Sequence, residues 1–384
     1  MSLALAASPE SPKSDGKGNQ ERLYNGKAPS AWLLDLKSDD EQIRQKAAQA
    51  LYVLAERDKS MLPRLIELFK DENARGDAAN IIASLGKTAV SPLLQALKRS
   101  EPLVRASAAT ALGYMMPPSK EAVPALIAAL ADKDGYVRVA SACALVNITP
   151  KGKEAIPALT AALKDKHARV RLFAAMALGN HGPFAKQAAP ALIDLLKDKD
   201  EDIRHQVALA ISRVGADPKA AVPALTEVLA NERSPHTRSV IWTLGDFGPA
   251  AASAVPALIK VLKEKDEDDR WSAAHALGKI GPKASASVPA LIELLKDKRG
   301  GCHRPAAMSL GNIGPAAAAA VPVLIKGLQF KHAQDRQAVA EALGKLGSAA
   351  QIPELEKVLN DEDKEVREAA AAAIKRIKVN MREL

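Results

Sequence analysis

Apolar residues recur along this chain in blocks of one design. In VPALIAALADKDGYVRVASACALVNI, IPALTAALKDKHARVRLFAAMALGNHG, APALIDLLKDKDEDIRHQVALAISRVG and VPALIKVLKEKDEDDRWSAAHALGKIG, Leu, Ile, Val and Ala return every three or four positions, pause at a Lys/Asp-rich turn, and return again. That spacing is one face of an α-helix, so each block predicts two amphipathic helices. A proline opens each block: Pro63, Pro92, Pro124, Pro157, Pro190, Pro223, Pro256, Pro289, Pro322 and Pro353 lie 29, 32, 33, 33, 33, 33, 33, 33 and 31 residues apart. An eleventh block, SAWLLDLKSDDEQIRQKAAQALYVLA, begins near Pro29. Neither helix of a block can bury its apolar stripe alone, whereas stacked blocks share one continuous core, which predicts an all-α solenoid of about eleven hairpins over residues 29–378.

Local chemistry agrees with the period. The proline suits the first helical turn, where its missing N–H has no intrahelical partner. LKDKD ends the first helix with lysines at the negative end of its dipole, which gives many basic residues a structural reason. The glycines of VRxxAAxALGxIG supply the tolerance of positive φ that helix ends use. Residues 1–28 lack the pattern: SPESPKSDGKGNQ holds no apolar side chains to offset the entropy of ordering, so 1–28 is expected to be a disordered tail, and residues 379–384 form a C-terminal tail. Ala4-Leu5-Ala6 has the small-residue character of the end of a secretory signal, so the chain is expected to be either cytoplasmic or exported to the periplasm.

Composition narrows the chemistry. Only 3% of residues are aromatic, so the core is built from small aliphatic side chains. Lys+Arg 54 against Asp+Glu 45 leaves +9, which permits an acidic partner without requiring nucleic acid. Cys143 and Cys302 stand far apart and form neither a disulfide framework nor a CxxC motif. No run approaches the roughly 20 apolar residues of a membrane span. No His-Glu pair occurs, and His167, His181, His205, His236, His275, His303 and His332 show no HxxxH spacing, so no metal or other cofactor is expected. Neither a phosphate-binding Gly-rich loop nor a nucleophile elbow is present, and the chain is read as non-enzymatic.

The unit VPALIxxLKDKDxxVRxxAAxALGxIG resembles HEAT repeats, in particular the short HEAT-like repeats of phycobilisome lyases, over residues 29–378. The resemblance implies a right-handed superhelix. It also implies a ladder made by a turn acid and an Arg six residues later, here Asp132/Arg138, Asp165/Arg171, Asp198/Arg204, Glu264/Arg270 and Asp361/Arg367, which is structural. Counting the proline as zero, the Arg belongs at position 14, where Thr237 and His303 stand instead. Arg238 and Arg304 follow one residue later, turned about 100° toward another surface.

Relatives of this kind bind partners on the concave face lined by second helices. Positions 15, 16, 19 and 23 share the side opposite the buried one. In the units of Pro190, Pro223, Pro256 and Pro289 these positions include His205, Arg238, Trp242, Asp246, Trp271, His275, Arg304 and Met308. Trp, Arg and Met are residue types enriched at binding hot spots, so this set is the candidate site for a protein or peptide partner and is expected to be exposed. Val139, Cys143, Leu172, Phe173 and Met176 extend it as an apolar strip toward the N-terminus. Trp32 is expected to cap the core of the first unit.

The resemblance also carries two alternatives. HEAT-like DNA glycosylases place Trp and Asp on a basic groove, as Trp242 and Asp246 would be. Little basic character extends into neighbouring units, which disfavours nucleic acid. A bilin lyase subunit has such repeats too, so an accessory lyase subunit is the other alternative.

Overall fold

The computed structural model describes residues 23–148, 153–231, 237–297 and 301–381. The Ala4–Ala6 signal-like segment and the SPESPKSDGKGNQ stretch lie outside the described residues. The chain forms two compact units, one up to Ala188 and one from Ala189, where the repeat period reads a single array.

The first unit contains five helical hairpins: Pro29–Asp35 with Glu41–Arg57, Met61–Glu67 with Arg75–Ser84, Val90–Ala96 with Pro102–Tyr114, Val123–Ala129 with Gly135–Ile148, and Ile156–Ala162 with Ala168–His181. The second contains six: Ala189–Leu195 with Glu201–Val214, Pro218–Asn231 with Thr237–Asp246, Val255–Val261 with Glu267–Ile280, Val288–Lys296 with His303–Ile313, Val321–Gly327 with Ala333–Leu346, and Ile352–Val358 with Lys364–Asn380. Among the described residues there is no strand, only an isolated bridge between Tyr24 and Lys27. This bridge corrects the expected tail for residues 23–28. Trp32 Nε1 donates to the Tyr24 carbonyl at 3.0 Å and the indole is buried, so the turn and Trp32 together cover the first hairpin. The last helix likewise reaches Asn380, past the expected boundary at 378.

Most first helices are short, seven to nine residues, and Pro218–Asn231 with 14 is the exception among the described residues. Gly182–Ala188, Gly248–Ala254, Gly281–Ser287 and Gly314–Ala320 are 3-10 turns of seven residues, and each leads into the next first helix. The glycine that starts each of them has positive φ and ends the second helix before it, as at Gly281, φ 68. The other glycine of ALGxIG does something else. At Gly113 and Gly344 a Cβ would lie 2.7 Å from the Cα of Ala144 and Ala373, so the missing side chain lets second helices of adjacent hairpins touch through backbone. The core is the expected Ala/Leu/Val/Ile layer: Val137, Ala144, Leu145, Ala273, Ala276, Leu277 and Ile280 are all buried.

His303–Gly327 is 25 residues long and apolar enough by length and composition to cross a membrane, which the sequence reading does not anticipate. It is not one rod. Gly314, at φ 78, turns the chain between the second helix of one hairpin and the first helix of the next.

The ladder differs in detail from its expected pairing. Arg138 Nη1 donates to the Asp132 carbonyl at 2.9 Å, so residues six apart meet through backbone. The Arg138 Nε and Nη2 donate to Asp165 Oδ2 and Oδ1 of the next hairpin at 2.6 and 3.0 Å. Arg105 holds Asp132 in the same way at 2.7 and 2.8 Å, and Arg336 holds Asp361 at 2.8 and 2.7 Å. Arg105 and Arg336 lie outside the five expected pairs because their own turns carry no acid six residues back, although Arg336 stands at position 14 from Pro322. Arg171, Arg204, Arg270 and Arg367 make the backbone half of the motif, to the carbonyls of Asp165, Asp198, Glu264 and Asp361.

Each ladder Asp also accepts a backbone N–H of its own turn, from Asp134 for Asp132 and from Asp363 for Asp361. The guanidinium, then that N–H, holds Asp132 and Asp361 below the usual carboxylate range. Burial pushes Asp165 up, but the Arg138 fork and the His167 N–H outweigh it. A carboxyl depressed in the folded state stabilises above its unfolded value and loses that contribution as pH falls through the folded one. Denaturant midpoints are therefore expected to hold from pH 7 down to about 4 and to drop below it. Asp165→Asn is expected to flatten part of that drop, measured by circular dichroism.

Candidate functional site

The eight candidate residues all lie in the second unit, on four successive second helices: Glu201–Val214, Thr237–Asp246, Glu267–Ile280 and His303–Ile313. Each helix turns Ala, Leu, Ile and Val inward, which leaves the opposite stripe uncovered. Where the ladder Arg is missing, the substitutes are buried. Thr237 is 9% exposed, and so is His303. His303 Nε2 lies 2.8 Å from the Asp297 carbonyl, six residues back, which is the backbone half of the Arg role. Its ring stacks on Phe330 at 4.0 Å and 7°.

Trp242, Trp271 and His275 form one aromatic cluster. The indole centroids are 5.7 Å apart, and His275 lies 4.8 Å from Trp242 and 5.4 Å from Trp271, stacked on the latter at 16°. Spacings of this kind are those of favourable aromatic pairs. Below them Lys279 Nζ donates to Asp246 Oδ1 at 2.7 Å and sits 5.8 Å from the Trp242 ring. Ser212 Oγ donates to the second Asp246 oxygen at 3.2 Å. Burial, then the nearby Lys279 charge, lowers the pKa of His275 from its ordinary 6.5, with Asp246 opposing, so the ring is neutral at pH 7.

The stripe is less exposed than the sequence reading has it. Only Asp246 and Arg304 are exposed, whereas His205, Arg238, Trp242, Trp271, His275 and Met308 are half-buried. For Trp242, Trp271 and His275 the cause is mutual packing, since these rings cover one another across the junction of two hairpins. Arg238 is not free to anchor a partner's acid, because its Nη1 donates to Asp268 Oδ2 at 2.8 Å. The one-residue displacement from the ladder position carries this guanidinium out of the junction and onto the first turn of the next second helix. His205, Arg304 and Met308 lie on the same stripe but outside the ring cluster. Lys279 and Ser212, absent from the candidate set, belong to the site through Asp246. Lys279 stands at position 23, four residues after His275, so helical spacing already puts it on the same stripe.

Val139, Cys143 and Phe173, read as an extension of this stripe, belong to the first unit and line a groove of their own. Among the described residues no group of three His, Cys, Asp or Glu side chains is placed to hold a metal ion.

Paired helices in register, joined by a forward-reaching Arg–Asp ladder, define an α-solenoid. The HEAT-repeat model matches residues 90–178, 156–245, 222–304 and 288–375, overlapping segments that together span most of the chain, and the protein belongs to the HEAT-repeat family. No curated protein sequence is similar enough to count as a match. Among solved structures, the crystal structure of an engineered protein, a structural-genomics target, matches with a TM-score of 0.57 and 24% identity over 91% of this chain and 98% of that one. A chain of the structure in which Kap95p binding induces the switch loops of RanGDP to adopt the GTP-bound conformation matches with a TM-score of 0.55 and 16% identity, over 91% of this chain and 54% of that one. At such identities the likeness is one of fold.

Proposed function

We propose that this protein is a non-enzymatic interaction scaffold that takes a peptide or protein partner on the second-helix face of its second unit, centred on Trp242 and Trp271. The observation that carries the reading is the indole pair itself. In a chain with 3% aromatic residues, two of three tryptophans meet at 5.7 Å on a half-open surface rather than in the core. Two rings already in contact offer a partner a rigid apolar platform at small entropic cost, with Arg304 and the Asp246–Lys279 pair as its polar rim. The structural likeness to a chain of a Kap95p–RanGDP structure supports a binding role of the same broad kind.

The test is affinity capture with the full chain, set beside the Trp242→Ala/Trp271→Ala variant. Each single alanine is expected to cost about 2 kcal/mol of partner binding, roughly thirtyfold in Kd, with an unchanged helical spectrum. A double variant that folds and binds its partner unchanged overturns the site. The glycosylase-like alternative needs a free Asp246, whose two oxygens are instead occupied by Lys279 and Ser212. Binding that weakens steeply as salt rises would revive it.

A further inference from the structure

The first unit has a groove that the indole platform does not use. It lies across four successive second helices, Arg75–Ser84, Pro102–Tyr114, Gly135–Ile148 and Ala168–His181, and encloses about 550 Å³. Leu103, Tyr114 and Tyr136 stand on its rim 43%, 53% and 74% exposed, over a floor that includes Val139, Cys143 and Phe173. Single exposed apolar side chains are ordinary surface, whereas several gathered on one concavity mark a binding face.

Charge says what covers it. The charged side chains lining the groove are Arg75 and Arg169, and no carboxylate lines it. Two of its uncharged polar side chains are committed internally: Thr110 Oγ1 donates to the Ala106 carbonyl at 3.0 Å and the Asn147 amide to the Gly113 carbonyl at 3.2 Å. The Arg169 guanidinium lies over Phe173, 6.0 Å from the ring centroid, with no acid paired to it among the described residues. Among the described residues Arg75 meets an acid only in Glu72, 3.7 Å away in the turn before its helix and 89% exposed, a weak solvent-screened pair. By contrast, the ladder arginines of this unit are held by bidentate carboxylates, Arg105 by Asp132 and Arg138 by Asp165. The groove thus presents apolar area together with cationic side chains whose charge the fold leaves open.

We infer that this groove docks an acidic amphipathic segment of another protein, with aliphatic or aromatic side chains against Val139, Cys143 and Phe173 and carboxylates on Arg75 and Arg169. Arg forks bind carboxylates with geometric specificity, and the Tyr and Phe rings contribute area at low entropic cost. Four helices about 10 Å apart span roughly 30 Å, the length of about 20 helical or nine extended residues. The inference concerns a separate surface and stands or falls apart from the indole platform.

The experiment is fluorescence anisotropy with the full chain and two labelled 18-residue peptides. Both carry a leucine stripe at helical spacing, and they differ only in Glu or Lys on the flanking positions. The Glu peptide is expected to bind at least tenfold more tightly than the Lys peptide. Arg75→Gln/Arg169→Gln, exposed enough to leave the fold intact by thermal melting, is expected to abolish that preference, and Tyr136→Ala to weaken both peptides. The Trp242→Ala/Trp271→Ala variant is expected to retain the preference. Equal binding of the two peptides, no binding of either, or a preference that survives the arginine variant overturns the inference. So does loss of the preference in the tryptophan variant, which would place the peptide on the other face. Displacement of the Glu peptide by a single-stranded oligonucleotide with steep salt dependence would also overturn it, since the groove would then read phosphate.

Discussion

Arg138→Ala is expected to lower the stability of the first unit by about 3 kcal/mol. The Arg138 side chain is 8% exposed, and its partner Asp165 is 13% exposed. Removing the guanidinium strips Asp165 of its bidentate partner while the carboxylate stays largely out of water, and it also leaves the Asp132 and Lys133 carbonyls without their donor. A lone carboxylate of that kind costs more than the pair contributes, because desolvation is no longer compensated. Arg138→Lys keeps the charge but not the fork, and is expected to recover less than half of the loss. Denaturant titration of the three chains decides the matter. If alanine shifts the midpoint no more than a surface substitution does, the ladder is decoration.

The second large effect is steric. Gly113→Val is expected to cost about 3 kcal/mol, and Gly113→Ala about 2 kcal/mol. The Cβ would meet Ala144 Cα at 2.7 Å and Ala144 Cβ at 2.8 Å, and the backbone of a packed helix cannot step aside as the end of a flexible side chain does. The control is Gly76→Ala, at a helical glycine with open space around its Cβ position, where alanine is expected to be neutral or stabilising. Thermal melts of the three variants separate the two cases, and equal effects at Gly113 and Gly76 would remove the close-approach explanation.

How much of this was legible in the sequence depends on the range of the interaction. Hairpins, their number and their buried faces follow from apolar spacing, because a helix decides locally which side is greasy. The seven-residue 3-10 turns were not legible, since GPAAAAA and GPKASAS carry helix-forming alanine and no pattern that distinguishes one helical pitch from another. The ladder was half legible. Asp and Arg recur at fixed positions, but a period cannot say whether Arg138 takes Asp132 or the Asp165 of the following unit, and Arg105 and Arg336 escape a rule that looks only backward. At the candidate site, helix geometry puts Trp242, Trp271 and His275 on one stripe. That they would close on one another, and that Arg238 would find Asp268, is set by the rotation between neighbouring hairpins, which no single helix encodes.

The ladder has one more consequence. Arg105 and Asp132 are 27 residues apart, as are Arg138 and Asp165, whereas Arg336 and Asp361 are 25 apart with the same bidentate geometry. The missing two residues lie in the connection between hairpins: Gly281–Ser287 takes seven residues from Ile280 to Val288, while only Gly347–Gln351 separates Leu346 from Ile352. Length variation is thus absorbed upstream of the next turn, before the acid that the preceding Arg must find. At a joint that holds this fork, a copied or deleted hairpin, even one imprecise by a residue or two at that seam, arrives with its own acid in reach of the Arg before it, so hairpin number can change there without redesign of the joint.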